Sequence, residues 1–202
     1  MIEVEHICLS FGKRKILEDV NLTVYDGETM VILGASGSGK STLLKLIIGL
    51  LKPDSGSIKV NGKEISSLTE REMNEERRRM GMVFQYSALF DSMNVKENVA
   101  FGLRQHTDLS EEEIENITEG KLHLVGLVDV GDLMPADLSG GMKKRVSLAR
   151  AIALNPQIIL YDEPTAGLDP IRATDISLLI KQMQKEMKSE TSLFIKKMPV
   201  NF

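Results

Sequence analysis

The chain has 202 residues, of which 42% are hydrophobic and 27% charged, with a net charge of −4. That balance suits a folded chain with one sizeable core, and the acidic sign argues against broad electrostatic binding to nucleic acid or anionic lipid. The single cysteine, Cys8, excludes an intrachain disulfide and reads as a buried strand thiol, while His6, His106 and His123 are scattered without metal-ligand spacing.

Residues 2–11 and 20–25 alternate as strands around a turn at Gly12-Lys13, and Asp26-Gly27 carries a hairpin-turn signal. "TMVILG" (29–34) is a short apolar strand running into a glycine-rich loop, and a helical run at 40–51 follows. Pro53 to Gly56 make a turn before a strand at 57–62. A charged helix is expected over 69–79 and a buried strand over 80–85. The stretch 95–155 is mostly helical, with one start marked by a Ser110/Glu113 capping box and a Leu109/Ile114 staple. "QIILYDE" (157–163) is a second buried strand, 171–188 a helix after Pro170, and "TSLFI" (191–195) begins one more strand. Neither a repeat nor a linker interrupts this order, which predicts an α/β core with a helical insertion. The run "LLKLIIGLL" (43–51) contains Lys45 and is too short for a bilayer, and acidic residues interrupt the N-terminus, so no signal peptide is read. The chain is expected in the cytoplasm, with any membrane link made through a partner.

"GASGSGKS" (34–41) fits the G-x-x-x-x-G-K-[ST] phosphate loop, in the right place between an apolar strand and a helix. Gly34, Ala35, Ser36, Gly37, Ser38 and Gly39 form the loop, whose glycines let backbone N–H groups close around a phosphate. The helix N-terminus adds partial positive charge. Lys40 is expected to reach the β- and γ-phosphates, Ser41 to hold Mg²⁺ and Thr42 to touch the α-phosphate. A metal carboxylate is then needed on a neighbouring strand, and "IILYDE" supplies Asp162 for Mg²⁺ and Glu163 as general base toward an attacking water. Apart from such a site, an Asp-Glu pair reads equally well as a strand stop or helix cap.

"PADLSGGMKKR" (135–145) places two adjacent glycines where a helix should start, which costs helix stability. Either this is a loose turn with a serine cap, or the backbone there must approach a ligand closely. With the phosphate loop and the Asp-Glu strand end, Leu138-Ser139-Gly140-Gly141 resembles the ATPase subunits of ABC transporters, over essentially the whole chain to about residue 195.

The resemblance implies a P-loop NTPase (RecA-like) core with an N-terminal antiparallel β subdomain and an inserted helical subdomain, the core formed by 1–88 and 157–202 and the helical part by 89–156. It implies ATP and Mg²⁺ as ligands and a head-to-tail homodimer. Ser139, Gly140, Gly141 and Met142 then form a signature loop pressed against the γ-phosphate held by the second subunit, where Met142 replaces the family's usual glutamine. Gln85 matches the Q-loop glutamine that approaches Mg²⁺ and the attacking water, and its loop meets the permease. Asp169 in "AGLDP" matches the D-loop residue that crosses the dimer interface, and Phe11 stands where the family stacks an aromatic on adenine. Residues 84–107 and 133–154, with Met142 after Ser-Gly-Gly, resemble the ATPases of Mla- and Mce-type lipid transporters. That subfamily implies integral-membrane permease partners, an MCE-domain lipid-binding partner and a place on the inner face of the cell membrane. Relatives that act on DNA carry a long coiled coil and those that act on ribosomes carry two such domains, so no nucleic-acid partner is expected. A P-loop kinase would have no use for Ser-Gly-Gly.

The pattern departs at the end. The family's switch histidine is expected shortly after the last strand, where "TSLFIKKMPVNF" offers Lys196 and Lys197. Two expectations follow: a product truncated or shifted in frame near residue 194, lacking the C-terminal part of the family domain, or a module that binds ATP and dimerises without turning over.

Overall fold

The computed structural model describes residues 1–186 and 191–197. Two four-stranded sheets divide the strands. The first is antiparallel, in the order β2-β1-β4-β5, with β1 Ile2–Phe11, β2 Arg14–Val24, β4 Ser55–Val60 and β5 Lys63–Glu64. The second is parallel, in the order β3-β8-β7-β6, with β3 Thr29–Gly34, β6 Met80–Val83, β7 Ile158–Asp162 and β8 Thr191–Lys197. All five β7 residues and all four of β6 are buried, as a strand covered on both faces requires.

Helix α1 (Lys40–Ile47) follows β3, and α2 (Glu70–Arg77) precedes β6. Helices α3 (Val95–His106), α4 (Glu111–Leu124) and α5 (Gly140–Ala151) pack on one another, and α6 (Pro170–Glu186) joins β7 to β8. Ile176, Leu179, Ile180 and Met183 are buried, one stripe of α6 at helical spacing. The expected Ser110/Glu113 capping box is present, and Thr69/Glu72 and Asn94/Glu97 form two more with the same chemistry. Leu109 and Ile114 pack into the same core cluster.

Four local expectations are corrected. β2 begins at Arg14 rather than residue 20, because bulges in its pairing with β1 break the alternation that marks a strand in sequence. Asp26-Gly27 is a turn but not a hairpin, since the strands on either side belong to different sheets. The strand expected over 57–62 ends at Val60, and Asn61-Gly62, both at positive φ, form the two-residue turn into β5. β6 stops at Val83, which leaves Gln85 in the loop.

Candidate nucleotide site

Parallel strands point their C-terminal ends to one edge of the sheet, where ligands of α/β folds bind. That edge carries the glycine-rich loop after β3, Gln85 after β6, and Asp162 and Glu163 at the end of β7. The loop between β3 and α1 is held from below. Gly39 has φ +87°, and a Cβ there would come within 2.7 Å of Leu17 Cδ2 and 2.9 Å of the Ile16 carbonyl oxygen, so no other residue fits. Gly39 is also the N-cap of α1, and no side chain caps that helix, which leaves its first amides directed to the loop.

Lys40 is buried and reaches back into the loop, donating from Nζ to the carbonyl oxygens of Gly34 at 2.9 Å and Ala35 at 2.8 Å, and to Ser38 Oγ at 3.4 Å. Ser41 Oγ donates to Asp162 Oδ1 at 2.7 Å across 121 residues of sequence. Opposite, Gln85 Nε2 donates to Glu163 Oε2 at 3.4 Å. Glu163 has φ 45°, a left-handed conformation rare outside glycine, of the kind that accumulates at functional sites. These groups enclose a cavity of about 340 Å³ lined by Ser36, Gly37, Gly39, Lys40, Ser41, Thr42, Gln85 and Glu163, with Arg14 and Ile16 closing it from β2.

The remaining expected residues stand apart from this lining. Phe11 ends β1, its ring 52% exposed, paired in register with the Arg14 that does line the cavity. Its exposure removes the core role that a strand aromatic ordinarily has. Ser139 caps α5, its Oγ accepting from the Met142 amide at 3.3 Å, and Gly140 and Gly141 form the first turn. A Cβ at Gly140 or Gly141 would meet nothing closer than 3.8 Å, so packing within the chain does not require either glycine. Asp169 caps α6 ahead of Pro170, with Oδ1 accepting from the Arg172 amide at 3.0 Å. Lys196 and Lys197 close β8, their backbones in register with Leu33 and Gly34, level with the start of the loop.

Sequence reading missed the residues that hold the Gln85 loop. Ser87 and Ala88 both have positive φ. The Arg150 guanidinium donates to the Ser87 carbonyl at 3.0 Å and lies 5.5 Å from the Phe90 ring centroid. Asn98 is fully buried and ties the same loop to α3, donating to the carbonyls of Phe90, Met93 and Asn94 and accepting from the Phe90 amide at 2.8 Å. Lys144 donates to the Gln85 carbonyl from inside the protein. Its one sequence signal is its place on the apolar stripe of α5, four residues before Leu148.

Among the described residues no helix is long and apolar enough to cross a membrane. The profile of the ABC transporter family matches residues 17–166. A Mycobacterium tuberculosis protein named as a ribonucleotide transport ATP-binding protein, mkl, is 49% identical over 92% of this chain. The chain spans about half, 52%, of the length of that relative. The intermembrane phospholipid transport system ATP-binding protein MlaF of Haemophilus influenzae is 47% identical over 93% of this chain and 71% of its own. The dimeric ATP-binding cassette MJ0796, in a post-hydrolysis state with ADP and Pi, matches with a TM-score of 0.88 at 32% identity, covering 100% of this chain and 89% of that one. With a phosphate loop and an Asp-Glu strand end meeting at one sheet edge, and with this family match over most of its length, the chain belongs to the ABC transporter family, as an ATP-binding domain.

Proposed function

We propose that this chain binds and hydrolyses ATP to drive a lipid transporter of the Mla/Mce type, working at the inner face of the cell membrane through a permease. The observation that carries the hydrolytic reading is the meeting of Ser41 with Asp162 and of Gln85 with Glu163 on two sides of one cavity. Lys40 exchanges its two loop carbonyls for phosphate oxygens, a charge-assisted contact, while the uncapped amides of α1 and the loop wrap the β-phosphate. The Ser41 hydroxyl and the Asp162 carboxylate offer the hard oxygen donors that suit Mg²⁺, with Gln85 facing them. Bound there, Mg²⁺ supplies positive charge to the β- and γ-phosphates. Glu163 polarises the attacking water, and Gln85 orients that carboxylate.

Two chains close head to tail over two nucleotides. Ser139, Gly140, Gly141 and Met142 of each contact the γ-phosphate in the other, and Asp169 lies at the interface. The spare room at both glycines supports this, because their lack of a side chain serves something outside the chain. Phe11 stacks on adenine beside Arg14. The core of 1–88 and 157–202 holds the nucleotide, and the helical part 89–156 carries the signature loop. An apolar groove of about 440 Å³ along the Gln85 loop, lined by Phe84, Ala88, Phe90 and Phe101 among others, is the surface assigned to the permease. Phospholipid as cargo rests on the likeness to MlaF, and an MCE-domain partner on the resemblance of residues 84–107 and 133–154 to Mla- and Mce-type ATPases.

A second reading is a module that binds ATP and dimerises but turns over poorly. Lys196 and Lys197 favour it, because they close β8 about where the family's switch histidine is expected just after that strand. ATP hydrolysis by the purified chain, with Glu163→Gln as control, separates the two. Turnover abolished by Glu163→Gln supports the motor. ATP binding without such turnover supports the binding module, and absence of ATP binding overturns both.

A further inference from the structure

Lys144 is out of place by ordinary packing rules. It lies on the inward stripe of α5 with Leu148, in line with Ile152 at the C-cap, and only 4% of its surface is exposed. A methionine would fill that position without the cost of burying an ammonium. Burial pushes Lys144 below the ordinary lysine range, and the nearby charges of Asp162 and Glu163 pull it back up. Its Nζ donates to the main-chain carbonyl of Gln85. The Gln85 side chain in turn donates to Glu163, which is already held at positive φ. Six residues further along the same helix, Arg150 grips the Ser87 carbonyl at 3.0 Å. One helix therefore holds the Gln85 loop at two carbonyls with two cations, and that helix starts at Ser139.

We propose that Lys144 is a positioning residue for hydrolysis: it fixes the main chain at Gln85, sets the Gln85 amide against Glu163, and ties that pair to the signature helix. This rests on the hydrolytic reading above. Lys144 sits five residues after Ser139, roughly 7.5 Å along a rigid helix, so the signature serine and the Gln85 carbonyl are braced by the same rod.

The test compares Lys144→Met and Lys144→Arg, alone and on a Gln85→Ala background. Lys144→Met should lower kcat about tenfold and leave ATP affinity within about twofold, because the contact acts on the pair and not on the phosphates. Lys144→Arg keeps a charged N–H donor for the Gln85 carbonyl and should recover turnover to within about threefold of the parent. In Gln85→Ala, adding Lys144→Met should cost less than about twofold, since the side chain through which it acts is gone. Hydrogen exchange of the segment 84–90 in the nucleotide-free chain should quicken in Lys144→Met and not in Lys144→Arg. Unchanged turnover in Lys144→Met, an equal loss in both backgrounds, or unchanged exchange in the segment would each overturn the proposal. If the parent chain shows no turnover that Glu163→Gln abolishes, the hydrolytic reading fails by itself, and the exchange comparison still decides whether Lys144 clamps the loop.

Discussion

Asn98 should be among the costliest polar residues to remove, although it touches no expected ligand. It is fully buried on α3 and anchors the loop that follows Gln85. Replacing it with alanine takes the partner from the Phe90 amide, bonded at 2.8 Å, and from the Met93 carbonyl, bonded at 2.9 Å. The Phe90 and Asn94 carbonyls keep main-chain partners, the amides of Met93 and Asn98. Two part-buried groups left without partners, with the space vacated by the buried Asn98 amide, amount to about 3–4 kcal/mol. For a chain of this size that lowers the melting temperature by about 6–16 °C. Asn98→Asp sharpens the test. It keeps an acceptor for the Phe90 amide and for Arg150, but turns a second oxygen toward the three carbonyls that now receive Nδ2. It should melt no higher than Asn98→Ala. Thermal unfolding followed by circular dichroism reads both. A loss under about 3 °C for Asn98→Ala, or an Asn98→Asp chain as stable as the parent, would refute the account of this loop.

Gly140→Ala has room for its methyl, 3.8 Å from Leu168, and should leave stability unchanged or raise it by up to about 1 kcal/mol. ATP-dependent dimerisation should nevertheless be lost, as read by light scattering; dimerisation intact would mean that the glycine is not needed by a partner. Gly39→Ala forces a Cβ against Leu17 and Ile16 at φ +87°. It should cost at least about 1–2 kcal/mol and weaken nucleotide binding more than tenfold, measured by fluorescent-nucleotide titration. Acid should loosen the joint between α3 and α4. A hydrogen bond from Arg104 holds the Glu111 carboxyl below its ordinary value of 4.5, so its contribution is complete above that pH and lost as pH falls through the lower folded-state value. The melting temperature of Glu111→Gln should accordingly fall less steeply than that of the parent between about pH 6 and 3.

What the sequence determined by itself lies where neighbours along the chain do the work. The phosphate loop is local because a tight turn, a left-handed Gly39 and an uncapped helix start are all made by adjacent residues. The Ser110/Glu113 box is local for the same reason, and the boxes at Thr69 and Asn94 were equally legible from three-residue spacing. Apolar runs marked β6 and β7, since a buried parallel strand must be apolar on both faces.

Tertiary structure decided the rest. Ser41 meets Asp162 across 121 residues and Gln85 meets Glu163 across 78, and no local spacing encodes either contact. Asp26-Gly27 reads as a hairpin in isolation, because turn chemistry reports a reversal and not which sheet receives the next strand. Lys144 stands between Lys143 and Arg145 in a basic run, and the packing of α5 turns it inward while its neighbours remain partly exposed. Burial belongs to the face that a helix presents to the assembled core, and only the folded chain fixes that face.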